Sequence, residues 1–202
     1  MPGRTHSKSF QSRKKAGRRP GRQSSRGAVL DAARARFARQ GYDATTIRAI
    51  AADAGVDPAL VMQFYESKDG LFRAVLEGQS ILADDLLAIA AGPRVGRGER
   101  FTRAYLQGWE DPVTGETLRC LIRAAVGSEH ASSLLRTYRS GKLNLSKVPE
   151  VRRLGLLVGA SQLLGIAIAR HVLGVPPLRA VPLEELVGLL SPAIDRLLNM
   201  TE

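Results

Sequence analysis

Polar side chains of the kinds that contact DNA are concentrated at about residues 45 to 65, with one lysine just beyond. Gln63 can hydrogen-bond the edge of an adenine, and Arg48 can reach either a base or the backbone. Hydroxyl groups, lysine and the free amides at helix N-termini bind phosphates. Each residue alone would be an ordinary solvated side chain. Together the predicted contacts are Thr45, Thr46, Arg48, Asp57, Pro58, Ala59, Gln63, Tyr65 and Lys68.

Two short helices joined by a tight turn must position these side chains. Thr45 or Thr46 can cap a first helix, in which apolar residues recur at helical spacing. Gly55 ends that helix because glycine adopts a positive φ without a Cβ clash. Asp57 directly before Pro58 predicts a capped start for the second helix. The pattern predicts a helix-turn-helix whose second helix enters the major groove.

The amino-terminal 26 residues form a cationic arm. They carry nine lysines and arginines and no acidic residue, whereas the remaining 176 carry 21 basic and 19 acidic side chains. Such arms usually meet nucleic acid, and Arg18, Arg19 and Arg22 are the residues expected in an adjacent minor groove. A solvated tail that only aids solubility is the alternative. A mitochondrial transit peptide is a third reading, but the arm lacks the apolar face such a peptide needs.

The helix-turn-helix and its flanks resemble the TetR family of transcriptional regulators over about residues 26–77. The resemblance implies operator binding as a dimer, with a ligand pocket and the dimer interface in a carboxyl-terminal domain. Two positions depart from the family pattern: Met62 stands where an aromatic residue is usual, and Phe64, where His or Tyr is frequent, cannot donate to a phosphate. The matching residues are Ala33, Phe37, 41–47, Ile50, Ala51, 54–59, Tyr65, 67–69, Leu71 and Phe72.

The whole chain is predicted to be all-α, since runs of strand-favouring residues are scarce. We expect a disordered arm at 1–24, a three-helix DNA-binding domain at 25–77 and a helical regulatory and dimerisation domain at 78–202. A Gly- and Arg-rich stretch at 92–98 reads as a connector, and the proline-containing stretch 174–182 reads as a loop. Beyond the connector the pattern predicts helices at about 99–109, 113–127, 129–140, 150–173 and 182–199.

The last two long helices are the expected dimer interface. The helix at 150–173 is apolar nearly all round, so it needs a second partner surface. The resemblance favours a second subunit as that partner, while both helices filling the core of one chain is the alternative. The interface residues predicted on this basis are Gly155, Gly159, Leu163, Leu186, Leu190, Ile194 and Leu197.

A pocket for an inducer is harder to locate from the pattern. Large or polar residues within apolar helices are candidates, although core packing explains each equally well. They are Tyr105, Trp109, Cys120, Arg123 and Gln162. One cysteine and three scattered histidines predict no metal site, cofactor or thiol catalyst.

The sequence therefore predicts a cytoplasmic homodimer that binds double-stranded operator DNA, represses transcription and is released by a small molecule, with no membrane partner and no enzymatic activity. Two alternatives remain open. A ligand-independent binder would depend on the arm, and no small molecule would alter its affinity for DNA. A small helical enzyme or ligand carrier would give no sequence-selective footprint at any salt concentration.

Overall fold

A computed structural model of the chain describes residues 22–77, 80–142 and 145–200. These residues form eleven α-helices, one 3₁₀ turn at Leu145–Lys147 and no strand, which confirms the all-α prediction. The helices are α1 Arg22–Ala44, α2 Ile47–Ala54, α3 Pro58–Tyr65, α4 Lys68–Glu77, α5 Ser80–Ala91, α6 Arg97–Glu110, α7 Pro112–Gly127, α8 Glu129–Lys142, α9 Glu150–His171, α10 Pro176–Ala180 and α11 Leu183–Leu198.

Local signals set the ends of the first three helices. Within the span of α1, Gly41 leaves helical geometry with φ 78°, a backbone conformation that glycine adopts readily. Of the two possible caps of α2, Thr46 fills the position, and its Oγ1 accepts a hydrogen bond from the Ala49 amide at 3.2 Å. The chain then turns at Gly55, whose φ of 65° costs a glycine little.

The amino-terminal core extends into the second half of the chain. Val29, Ala33 and Phe37 of α1 pack with buried residues of α2, α3 and α4. Two residues of α7, Cys120 and Ala124, complete the same cluster together with residues of α8. The helices α1–α4 are therefore not an isolated unit, because α7 supplies part of the surface on which α1 rests.

The second core lies where α6, α9 and α11 cross, and glycines set the spacing of these helices. A Cβ placed at Gly98 of α6 would lie 2.4 Å from backbone and Cβ atoms of Asp195 in α11. A Cβ at Gly155 of α9 would lie 1.9 Å from the carbonyl oxygen of Leu197. Both distances are too short for any side chain, so these crossings require glycine.

The stretch 92–98 joins α5 to α6 over 92–96, as its prediction as a connector implies, but its last two residues, Arg97 and Gly98, begin α6 and are buried in this core. Arg97 is 2% exposed. Its guanidinium donates to the carbonyl of Leu198 at 3.0 Å, to Oδ1 of Asn199 at 2.6 Å and to the carbonyl of Gly92. These hydrogen bonds give the buried guanidinium the polar partners that a buried charge requires. They also fix the end of α11 to the start of α6.

Two further observations concern the carboxyl-terminal part. The stretch 174–182 is not wholly a loop, because Pro176 begins the short helix α10. Among the described residues one helix, α9, is long and apolar enough to cross a membrane by length and composition, a test that core helices of soluble proteins also pass. In this fold α9 buries one side against α11 and α6.

Candidate nucleic-acid interface

The helix pair α2–α3 presents one outward surface. In α3, Val61 and Tyr65 point into the core, which leaves Ala59, Met62 and Gln63 exposed. The exposed Asp57 caps this helix, its Oδ1 accepting from the Ala59 amide at 2.7 Å. This carboxylate holds the start of α3, and the half-buried Pro58 follows it at the first helical position.

Helix α2 adds two polar residues that point outwards. Thr46 at its N-cap and Arg48 in its first turn are exposed, while Ile50 and Ala51 are buried against α1 and its neighbours. Among the described residues, neither Arg48 nor Gln63 forms a hydrogen bond or an ion pair with a side chain, so both are available to a ligand. The structure thus leaves exposed the two residues predicted to read bases.

Three predicted contacts lie elsewhere than on this surface. Thr45 is buried, and its Oγ1 donates to the Gly41 carbonyl at 2.7 Å. Tyr65 is buried, and its hydroxyl donates to the Arg26 carbonyl at 3.0 Å. Lys68 is half-buried with its Nζ 4.2 Å from the centre of the Tyr42 ring, and burial lowers the pKa of this amine. These contacts favour structural roles for Thr45 and Tyr65, which local sequence patterns could not separate from phosphate binding.

The role of Tyr65 can be tested by removing its hydroxyl. We expect Tyr65→Phe to lower the free energy of unfolding by about 1 kcal/mol, because the Arg26 carbonyl loses its donor. DNA affinity should stay within about 2-fold of the wild type, because no phosphate contact is lost. Urea unfolding and fluorescence anisotropy with labelled DNA measure the two effects. Unchanged stability with a tenfold loss of affinity would return Tyr65 to the DNA-contacting set.

The helix-turn-helix and its neighbours carry almost no net charge. Residues 22–77 contain eight basic and seven acidic side chains. One of those carboxylates, Asp53 on α2, is neutralised by two hydrogen bonds from Arg36, at 2.6 and 2.8 Å, which keep its pKa below the usual value. The region as a whole therefore offers a polyanion little net electrostatic attraction.

The part of the cationic arm before residue 22 carries seven lysines and arginines and no acidic residue. Arg18 and Arg19 lie outside the described residues. Arg22 is the first residue of α1, which places the arm at the start of the helix that supports α2 and α3. The predicted minor-groove contacts of these three arginines remain predictions.

Comparison with known proteins assigns the fold to a family. A family model described as bacterial regulatory proteins of the tetR family matches residues 29–75. A second, described as the tetracyclin repressor-like carboxyl-terminal domain, matches residues 96–198, half of the chain. The chain belongs to the TetR family. It is therefore a DNA-binding transcriptional regulator, and α2–α3 is its helix-turn-helix.

Solved structures agree with this assignment. A TetR-family regulator from Streptomyces coelicolor A3 is 31% identical, with a TM-score of 0.60 over 92% of this chain and 100% of that one. The fatty acid degradation regulator FadR from Bacillus halodurans is 15% identical, with a TM-score of 0.64 over 87% and 99%. A SmeT–triclosan complex is 18% identical, with a TM-score of 0.62 over 86% and 90%. A comparison with curated protein sequences finds no match.

In this TetR-family chain the predicted ligand residues do not share a pocket. Cys120 packs in the amino-terminal core, where burial raises the pKa of its thiol to about 12, and Tyr105 is half-buried between α9 and α11. Arg123 and Gln162 are exposed on different helices. Trp109 alone lies beside a cleft, because its ring stacks on His171, which lines that cleft.

The predicted dimer residues lie mainly inside one chain. Leu163 is fully buried, Gly155 faces Leu197, and Gly159 faces Ile194. Leu186 and Ile194 are buried in α11, and the half-buried Leu190 and Leu197 pack against the same cores. These residues pack α9 against α11 within one chain. Their positions agree with the alternative given above, in which both helices fill the core of a single chain. Because α9 is apolar nearly all round, the sequence pattern could not separate the residues that pack within one chain from those that stay exposed.

A polar cluster joins the two halves of this TetR-family fold. Asp69 of α4 accepts a hydrogen bond from the Tyr42 hydroxyl, and its Oδ2 lies 3.1 Å from Nε2 of His130 in α8. Nearby, the Ser128 hydroxyl donates to Asp43 at 3.0 Å. The bond from Tyr42, followed by the contact with His130, holds the pKa of Asp69 below its usual value.

This cluster predicts a dependence of stability on pH. Because the folded pKa of Asp69 lies below the unfolded value of 3.8, its contribution is present above that pH and is lost as pH falls below it. We expect Asp69→Asn to lower the free energy of unfolding at pH 7 by about 1 kcal/mol. Below about pH 4 the variant should lose less of its remaining stability than the wild type does. Urea unfolding at a series of pH values measures both, with Asp84→Asn on the exposed face of α5 as control. Identical pH profiles for wild type and Asp69→Asn would contradict this assignment.

Proposed function

We propose that two copies of this chain bind a two-fold symmetric operator, with α3 of each copy in the major groove and the N-terminus of α2 at the backbone. The observation that carries this proposal is the exposed pair Arg48 and Gln63 on the outward surface of a capped helix-turn-helix, where neither has a side-chain partner among the residues that the structure describes. Thr46 and Ala59 border that surface. Thr46 offers a hydroxyl group to DNA, and the small side chain of Ala59 allows DNA to approach α3 closely. Met62 adds an apolar side chain, 42% exposed, that suits a thymine methyl group.

The partner surface that we propose is the outer face of α9 and α11. Large apolar side chains remain exposed there, including Leu154 at 65% and Leu189 at 68%. On α9 the exposed residues recur every three or four positions and form a continuous stripe that a second copy can cover. The proposed interface consists of Val151, Leu154, Leu157, Val158, Gln162 and Gly165 of α9 with Gly188, Leu189 and Pro192 of α11.

The arm is proposed to supply affinity that the neutral helix-turn-helix lacks. Removing residues 1–21 takes away seven arginines and lysines. If the arm is an electrostatic tether, affinity and its salt dependence fall while the preferred DNA site stays the same. If the preferred site also changes, the arm reads the minor groove. A ligand-independent binder that relies on the arm is the second candidate, favoured by the concentration of charge at the amino terminus.

The regulator is proposed to act in the cytoplasm as a repressor that a small molecule releases from DNA. SmeT, which shares the fold, is known in complex with triclosan. In this chain the continuity of the amino-terminal core with α7 supports such coupling, because a shift of α7 would displace α1. We assign no catalytic role to any residue.

Selection of bound DNA from a random pool tests the proposed function. The full chain should enrich a site with two inverted half-sites, because a two-fold dimer reads the same bases twice. Repeating the selection with the chain lacking residues 1–21 separates the contribution of the arm. Enrichment of a single unrepeated half-site would contradict dimeric binding, and no enrichment at any salt concentration would contradict sequence-specific recognition.

A further inference from the structure

A basic cleft of about 640 Å³ lies at the end of α9, beside α6, α7 and α10. Its charged lining consists of Arg119, Arg170 and Arg179 against a single carboxylate, Glu110, with His171 between them. The volume suits a small molecule. The charged lining distinguishes the cleft from the apolar pockets that hold drug-like compounds, and it favours a small polar ligand.

The arginines of the cleft fall into two kinds. Arg170 is fully engaged: its Nε donates to Glu110 at 3.0 Å, and its Nη1 donates to the carbonyls of Leu178 and Val181. It fastens α10 to α9 and fixes the wall of the cleft. Among the described residues, Arg119 and Arg179 form no ion pair. Two uncommitted guanidinium groups therefore remain, and such groups bind carboxylates and phosphates through paired hydrogen bonds.

The histidine in the wall also has an unmet polar atom. The Nε2 of His171 is buried without a hydrogen-bond partner among the described residues and lies 3.8 Å from Oε1 of Glu110. Burial, assisted by Arg170 and Arg119 and opposed by Glu110, lowers the pKa of this histidine. The ring is therefore neutral near pH 7, and the cleft keeps two positive charges in excess.

Basic residues in the last turn of a helix also occur without a ligand, because they complement the helix dipole. That explanation fits Arg170 and His171, which end α9, and Arg179, which lies in the last turn of the short helix α10. It does not fit Arg119, which lies in the interior of α7. The convergence of cations from three helices on one cleft is what points to an anion.

We propose that this cleft binds a small polar anion carrying phosphate or carboxylate groups, held by Arg119 and Arg179. The cleft also lies against the helix that reaches the DNA-binding half. Arg119 lines the cleft, and its neighbour Cys120 packs against α1 in the amino-terminal core. An anion that draws Arg119 into the cleft would thereby act on α7. This step to regulation rests on the proposed function, whereas the binding itself does not.

The chain contains one tryptophan, Trp109, whose ring stacks on His171 at a centroid distance of 5.7 Å. Its fluorescence therefore reports occupancy of the cleft without DNA. Inorganic phosphate and succinate are titrated separately into the full chain, with chloride holding the ionic strength constant. We expect a saturable change with at least one probe, and which probe saturates identifies a phosphate or a carboxylate ligand.

Substitutions then assign the binding to the cleft. Arg119→Gln and Arg179→Gln should each weaken binding by about 10-fold or more, since each removes a charge-assisted contact. Arg123→Gln, one turn along α7 and outside the lining, should change it by less than about 2-fold. A linear response that chloride reproduces, or equal affinities for wild type and Arg119→Gln, would overturn the proposal. DNA binding is measured separately, so failure here leaves the DNA-binding proposal intact.

Discussion

Replacing Gly155 with alanine is expected to lower the free energy of unfolding by about 3 kcal/mol or more, the upper range for overpacked interiors. The added Cβ would lie 1.9 Å from the Leu197 carbonyl oxygen and 2.8 Å from its carbon. These are backbone atoms of α11, which cannot move aside as a flexible side chain can. The helices α9 and α11 would therefore have to separate, which would expose the second core.

Thermal unfolding measures this effect, and a loss of about 10 °C is expected for a chain of this size. Gly27→Ala is the matched control, because Gly27 lies in α1 and a Cβ there meets no atom within 4 Å. That substitution should leave stability unchanged or raise it by up to about 1 kcal/mol, since alanine favours the helix. If the free energy of unfolding of Gly155→Ala lies within about 0.5 kcal/mol of the wild-type value, the α9–α11 crossing is wider than described.

Two negatively charged side chains placed on the proposed dimer face should separate the two copies. We expect Leu154→Glu with Leu189→Glu to give a monomer, because each subunit would bring two carboxylates into an apolar contact without partners. Affinity for a two-fold site should fall about 100-fold or more, since the second half-site is no longer linked to the first. Folding should persist, because both leucines are exposed in the single chain.

Analytical ultracentrifugation and DNA titration check this result. The control is Val113→Glu with Val126→Glu, which also introduces two carboxylates at exposed apolar positions, 55% and 85% exposed, but on α7 and not on α9 or α11. The control should remain dimeric with unchanged DNA affinity. A dimer that survives Leu154→Glu with Leu189→Glu would move the interface to another surface.

The parts of this fold that sequence could predict are those fixed by neighbouring residues. A threonine before α2, a glycine after it and the Asp57–Pro58 pair before α3 each act within one helical turn. These signals were enough to predict the helix-turn-helix and the exposure of Arg48 and Gln63. Periodicity could not predict that Tyr65 turns inwards, because its partner, the Arg26 carbonyl, lies 39 residues away.

The carboxyl-terminal half shows the limit of that approach. Helix α9 is apolar on nearly every side, so the spacing of its apolar residues does not separate the face that packs on α11 from the face that stays exposed. The contacts of Arg97 with residues 198 and 199 join positions about 100 apart in the chain. The basic cleft likewise assembles from residues of α6, α7, α9 and α10. Because its cations come from separate helices, the sequence pattern could not identify them as one group.

The central claim, that α2 and α3 read DNA bases through Arg48 and Gln63, is tested most directly by a selectivity ratio. Affinity is measured for the selected operator and for random DNA at one salt concentration. For Arg48→Ala with Gln63→Ala we expect that ratio to fall by about 30-fold or more, because each base contact supplies about 1–3 kcal/mol of discrimination. The control, Arg136→Ala with Gln107→Ala, changes the same residue types at exposed positions of α8 and α6 and should keep the ratio. An unchanged ratio in the first variant would contradict the claim.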